Sequence, residues 1–153
     1  MFRRILYFSV LCFLILSGCT KTTVELPAPD ILYSDVAEAA MLSEMIELTS
    51  EELQNLVGID SEDYVEFAAY QASWGTSADE IIIIQAVDSS KAYDIEAKLK
   101  ERVEHKRKSA ESYLTENLPI IDAAIVRCDG NTVSMLITEN IDAANSVYEK
   151  FYK

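Results

Sequence analysis

The run Ile81-Ile82-Ile83-Ile84 constrains the fold more than any other stretch of this chain. In a strand, successive side chains point to opposite faces, so four adjacent isoleucines put apolar surface on both. Either the strand is central and covered on both sides, or one of its faces is used for binding. It lies within Glu80–Val87, which follows Tyr64–Trp74 across Gly75-Thr76-Ser77. Both segments are rich in β-branched and aromatic residues, and together they predict a hairpin.

A second hairpin is expected where Asp122–Cys128 and Thr132–Thr138 flank the tight-turn signal Asp129-Gly130-Asn131. Helices surround these pairs. Ser34 or Asp35 is expected to cap a first helix running to about Leu48. Thr49-x-x-Glu52 then has the capping-box pattern of a second, ended by Gly58, with Leu53, Leu56 and Val57 turned to a core. Asp88 or Ser89 opens a long helix to about Glu116, striped by Ala92, Ile95, Leu99, Val103, Ala110 and Tyr113, with Pro119 just beyond. A last helix near Asp142–Tyr152 places Ala144, Val147, Tyr148 and Phe151 on one face. The order strand-strand-helix occurs twice, and Ala92, Ile95 and Leu99 recur as Ala144, Val147 and Phe151 at an offset of 52. Either a duplication or the common spacing of amphipathic helices accounts for that. The expected class is α+β: an antiparallel sheet of about four strands with helices packed on it, carrying a ββα pseudo-repeat preceded by one or two helices.

The beginning of the chain has a different character. Arg3 and Arg4 precede the uninterrupted apolar-to-neutral run Ile5–Leu16, which fits the charged and apolar regions of a secretory signal. A spanning helix needs roughly 20 apolar residues, so this run is short for that task. Leu16-Ser17-Gly18-Cys19 follows directly and resembles the bacterial lipobox. That resemblance implies recognition of Leu16, Ser17 and Gly18 by a signal peptidase, cleavage before Cys19, and diacylglycerol on the Cys19 sulfur. The expected location is the extracytoplasmic face of the cell membrane, held by lipid. Each buried methylene contributes about 0.8 kcal/mol, so two acyl chains hold firmly where one is reversible. Thr20–Asp30 has two prolines and little apolar pattern, and reads as a tether. The expected organisation is therefore a signal peptide at 1–18, lipidated cysteine and tether at 19–33, and a single domain at 34–153.

Removing 18 of the 153 residues leaves 135, the size of one ordinary domain. The formal net charge is −13, and loss of Arg3 and Arg4 leaves 11 basic against 26 acidic residues, or −15. Such a surface repels phosphate backbones and anionic headgroups, which argues against nucleic acid as a partner. The charge is also lopsided. Glu25–Glu80 holds 14 acidic residues and no lysine or arginine, whereas Lys98–Lys108 holds six basic residues against Glu101 and Glu104. Two readings follow: the basic helix neutralises the acidic region inside the fold, or the acidic surface meets a basic protein, a peptide or another cationic envelope component.

Together, the lipobox, the Leu-x-x-Leu-x-Gly-Ile-Asp pattern of Leu53–Asp60, the Ala78-Asp79-Glu80-Ile81 segment and the Asp129-Gly130-Asn131 hairpin resemble a family. It is the bacterial lipoprotein family catalogued as domain of unknown function 4358, found mainly in Gram-positive bacteria. The resemblance covers most of the mature chain. It implies location and fold, and supplies no catalytic residue.

Chemistry-bearing residues are sparse. The only histidine, His105, sits among Lys98, Lys100, Arg102 and Lys106–Lys108, where a solvated surface position is expected. No zinc pattern, phosphate loop or Gly-x-Ser-x-Gly elbow is present. Cys128 is the one cysteine outside the leader and its cleavage site, and is expected to be a small buried hydrophobe. Asp60, Glu62 and Asp63 form a charge-rich turn without complete calcium-loop spacing. Tyr70 and Trp74, with Glu62 and Asp63, are the candidate partner surface; packing within the hairpin is the other reading of the two aromatics. The sequence thus points to a non-enzymatic binding or accessory module without metal or cofactor. A carboxylate-dependent hydrolase and a small solute-binding lipoprotein are the alternatives, although one domain lacks the usual two lobes.

Overall fold

The computed structural model describes residues 26–152. Its elements are α1 (Pro29–Ala40), β1 (Met45–Glu47), α2 (Ser50–Val57), β2 (Tyr64–Ala72), β3 (Glu80–Ala86) and α3 (Ser89–Tyr113). A 3-10 turn (Thr115–Asn117), α4 (Leu118–Asp122), β4 (Ile125–Asp129), β5 (Thr132–Ile137) and α5 (Ile141–Glu149) follow. The strands form one sheet in the order β1-β2-β3-β5-β4, with every neighbouring pair antiparallel. The class is α+β as expected, with five strands where about four were expected.

The isoleucines form the middle of β3, and both faces of that strand are covered. Ile82 and Ile84 join Val133, Met135 and Ile137 beneath α3, with α2 and α4 alongside. Ile81 and Ile83 join Leu136 beneath α1 and α5. All four are fully buried, and each such side chain contributes roughly 1.5–3 kcal/mol relative to exposure.

Local chemistry explains several boundaries. At α2, the Glu52 N–H donates to Thr49 Oγ1 at 3.2 Å while the Thr49 N–H donates to the Glu52 carboxylate at 2.8 Å. Gly58 ends the helix at φ 76°, a conformation that favours glycine. Leu53 is buried and Val57 half-buried, but Leu56 is exposed, because so short a helix turns only a narrow face inward. Asp88 caps α3 by accepting the Lys91 N–H at 2.9 Å. On the α3 stripe Ala92, Ile95, Leu99 and Ala110 are buried and Val103 is half-buried, whereas Tyr113 is 83% exposed, since the chain turns away there into α4. In the second hairpin Asp129 pairs with Thr132, and Gly130 takes φ 67° in the turn.

The first helix departs most from expectation. It begins at Pro29, ahead of Ser34 and Asp35, with proline in its first turn where a missing N–H costs nothing. Leu32, Val36 and Ala40 are its buried stripe, so residues 29–33, expected as part of a tether, belong to the folded unit. The helix ends at Ala40, where Met41 adopts a left-handed conformation at φ 56° and the Leu42 N–H bonds back to the Ala37 carbonyl. Met45–Glu47, expected as helix, pairs with β2 instead.

The strand-strand-helix order recurs as expected, in β2-β3-α3 and β4-β5-α5. The two helices nevertheless lie on opposite faces. A rotation carrying β3 onto its antiparallel neighbour β5, and β2 onto β4, keeps the faces of the sheet. No rotation therefore superposes one half on the other, and the recurrence is one of order.

Candidate functional site

The cations of α3 meet two carboxylates of the acidic stretch inside the fold. Glu80 shares a face with Ile82 and Ile84, is 0% exposed, and lies under the helix. Arg102 grips it with two hydrogen bonds, at 2.9 and 3.0 Å, and Lys106 Nζ adds a third at 2.7 Å. Burial pushes this carboxyl up, but the hydrogen bond from Arg102 and the charges of Lys106 and Arg102 outweigh it and hold it below the ordinary range. Asp63 is 4% exposed and paired with Lys91 at 2.5 Å and Lys98 at 3.5 Å. The hydrogen bond from Lys91 is the main cause that holds Asp63 low, against burial. Both groups stay ionised near neutral pH, and their chemistry is that of fixed ion pairs.

The carboxylates outside α3's reach have different surroundings. Among the described residues, Asp63 is the only carboxylate between Asp30 and Glu66 that is in a salt bridge. Glu44 and Glu47 flank the edge strand β1. Glu44 accepts a hydrogen bond from the indole N–H of Trp74, which is 66% exposed. Tyr70, opposite Glu47 in the ladder, stacks on Tyr33 of α1 with ring centres 3.7 Å apart. Burial, Tyr70 and Glu47 together push the Tyr33 hydroxyl up to about 12.

The four residues of the expected partner surface are thus divided. Tyr70 and Trp74 lie toward the β1 end, with Tyr70 half-buried in a stack and Trp74 open. Glu62 and Asp63 precede the other end of β2, about 25 Å from Tyr70 at about 3.3 Å per residue. Glu62 is exposed, whereas Asp63 is turned inward and occupied by lysines. The site gains residues the sequence reading did not select, Glu44, Ile46 and Glu47. Leu16, Ser17, Gly18 and Cys19 lie outside the described residues.

Other candidates take structural positions. His105 is exposed on α3. Cys128 is half-buried against the core under α3, and burial raises its thiol pKa. Asp60 accepts from the Gln54 side chain at 2.7 Å. At the opposite sheet edge, Arg127 binds Asp129 at 2.5 Å and Asn145 at 2.9 Å, with its guanidinium 4.2 Å from the Tyr148 ring centre. A cleft of about 170 Å³ opens beside the β2–β3 turn, lined by Ser77, Lys106, Ser109, Tyr113 and Asn117 among others. Lys106 is directed there to Glu80 and to the Ala78 carbonyl.

The family model described as Domain of unknown function (DUF4358) matches residues 38–138. The chain belongs to the DUF4358 family. The DUF4358 match covers the whole sheet and the α2–α3–α4 layer, while α5 and most of α1 lie outside it. No curated protein and no solved structure matches the chain.

One signal pointed toward the buried centre. Glu80 alternates in step with Ile82 and Ile84, and a carboxylate in phase with core residues requires a cation. The β1 edge gave no comparable signal, because three residues are too few for a period.

Proposed function

We propose that this DUF4358 chain is a lipid-anchored module on the extracytoplasmic face of the membrane, binding a cationic envelope component through its acidic surface without catalysis. The observation that carries the binding half is the row of carboxylates between Asp30 and Glu66 in which, among the described residues, only Asp63 has a cation. Unpaired charges of one sign favour a partner of the other and raise its rate of encounter. The anchoring half rests on Leu16-Ser17-Gly18-Cys19 following an apolar run too short to span a bilayer. Among the described residues no helix is long and apolar enough to cross a membrane. A short tether and a strongly negative domain hold the module beside anionic headgroups without adhesion to them, available to partners there.

The test has two arms. Cys19→Ala is expected to abolish incorporation of labelled lipid and release the protein from the membrane fraction; unchanged retention refutes the anchor. Photo-cross-linking in cells from Trp74 is expected to capture a reproducible basic partner, and an acidic or absent one refutes the binding reading.

A further inference from the structure

The sheet has an open edge whose main chain and side chains ask for the same ligand. Leu48 N–H bonds to the Ala69 carbonyl and Ser73 N–H to the Glu44 carbonyl, each at 2.8 Å, on either side of the Ile46–Gln71 pair. Main-chain groups alternate in direction along an antiparallel strand. Those of Ile46 therefore face β2, and those of Met45 and Glu47 point outward. No described element pairs with that side of β1.

The side chains flanking this edge divide by face. Ile46, 48% exposed, shares the face of the buried Leu48 and Ala69. Met45 and Glu47 lie on the other face, where Met45 packs against the α1 core. Trp74 and Glu44 stand at one end. Glu47 and Glu44 have no cation within ion-pair distance among the described residues.

Resting on the acidic-surface reading above, we propose that β1 accepts an extended cationic polypeptide segment as a further strand. The ladder sets its pattern: Lys or Arg opposite Glu47, and an apolar residue beside Ile46. Main-chain hydrogen bonds supply affinity in strand addition, and alternate side chains supply specificity. A cationic polysaccharide would meet the charges but leave the main-chain groups of Met45 and Glu47 unpaired.

The alternation also provides the test. Docked antiparallel to β1, as every other pair of this sheet is, and with lysine opposite Glu47, a Lys-Val repeat turns the main-chain groups of its lysines toward β1 and those of its valines away. The full chain in non-ionic detergent is titrated with a capped peptide of four Lys-Val repeats and followed by the emission of Trp74, the only tryptophan. Saturable binding weakened by salt is expected, with Glu47→Gln lowering affinity about threefold, the size of one cross-strand charge pair. Two further peptides carry the same charge. One methylated on the main-chain nitrogens of its valines is expected to bind, and one methylated on those of its lysines is not. Equal binding of the methylated pair overturns strand addition and leaves the acidic-surface reading standing. No binding of the unmodified peptide at low salt overturns both. A dimer that forms without peptide and excludes it assigns the edge to a second copy and overturns the proposal.

Discussion

Asp63 and Glu80 beneath α3, and Glu44 and Glu47 at the β1 edge, come from one acidic stretch and meet opposite surroundings. The first pair is buried and held by four cations of a single helix. The second stands at the sheet's margin with no cation in ion-pair range among the described residues. Geometry makes the difference: α3 packs on β3, β5 and β4, while β1 lies two strands beyond β3. Two strand spacings are about 10 Å, comparable with the screening length at physiological salt. A basic helix therefore neutralises the carboxylates it covers and leaves the others to act as surface.

The largest expected effect breaks the buried side of this contrast. Glu80→Gln leaves Arg102 and Lys106 facing a neutral group, and about 3 kcal/mol of stability should be lost in chemical denaturation, the usual result of removing one partner from a buried pair. A loss under 1 kcal/mol would mean that Arg102 and Lys106 reach water easily and that the centre is not truly interior.

Acid should separate the two sets more gently. The folded-state pKa values of Asp63 and Glu80 are lowered, so in the acid range the unfolded chain binds more protons than the folded one. Their contribution is present above the ordinary carboxylate value of about 4 and is lost as pH falls through the folded-state values. Stability measured downward from neutral pH should fall through that window, and the Asp63→Asn, Glu80→Gln double variant should show a flatter profile. An unchanged slope in the double variant would assign the acid sensitivity to other carboxylates.

At the edge, Glu47→Gln should move stability by no more than about 0.5 kcal/mol, as for most exposed positions. The direction should be toward greater stability, since it relieves repulsion among unpaired carboxylates. A marked loss in thermal denaturation would show that Glu47 is structural and would erase the contrast with Glu80.

Much of the architecture was legible because the signals were local. The capping box at Thr49 and Glu52, the Gly58 stop, the Asp88 cap and the Gly130 turn each depend on residues within one turn of chain. The central position of β3 was legible because four isoleucines admit few environments. The first helix misled because apolar spacing continues past Ala40, while the left-handed turn at Met41 leaves no glycine in the sequence to mark it. β1 was illegible because a three-residue strand takes its conformation from hydrogen bonds to Tyr70–Ala72, far along the chain.

The candidate site divides in the same way. By itself the sequence determined the charge imbalance, the two-sided strand, the hairpins and the caps, all set by composition or by neighbours a few residues apart. The tertiary structure decided which carboxylates are spent inside and which remain outside. Arg102 reaches Glu80 across 22 residues and Lys91 reaches Asp63 across the whole first hairpin. Those pairings follow from where the sheet places α3, and no local pattern contains that placement.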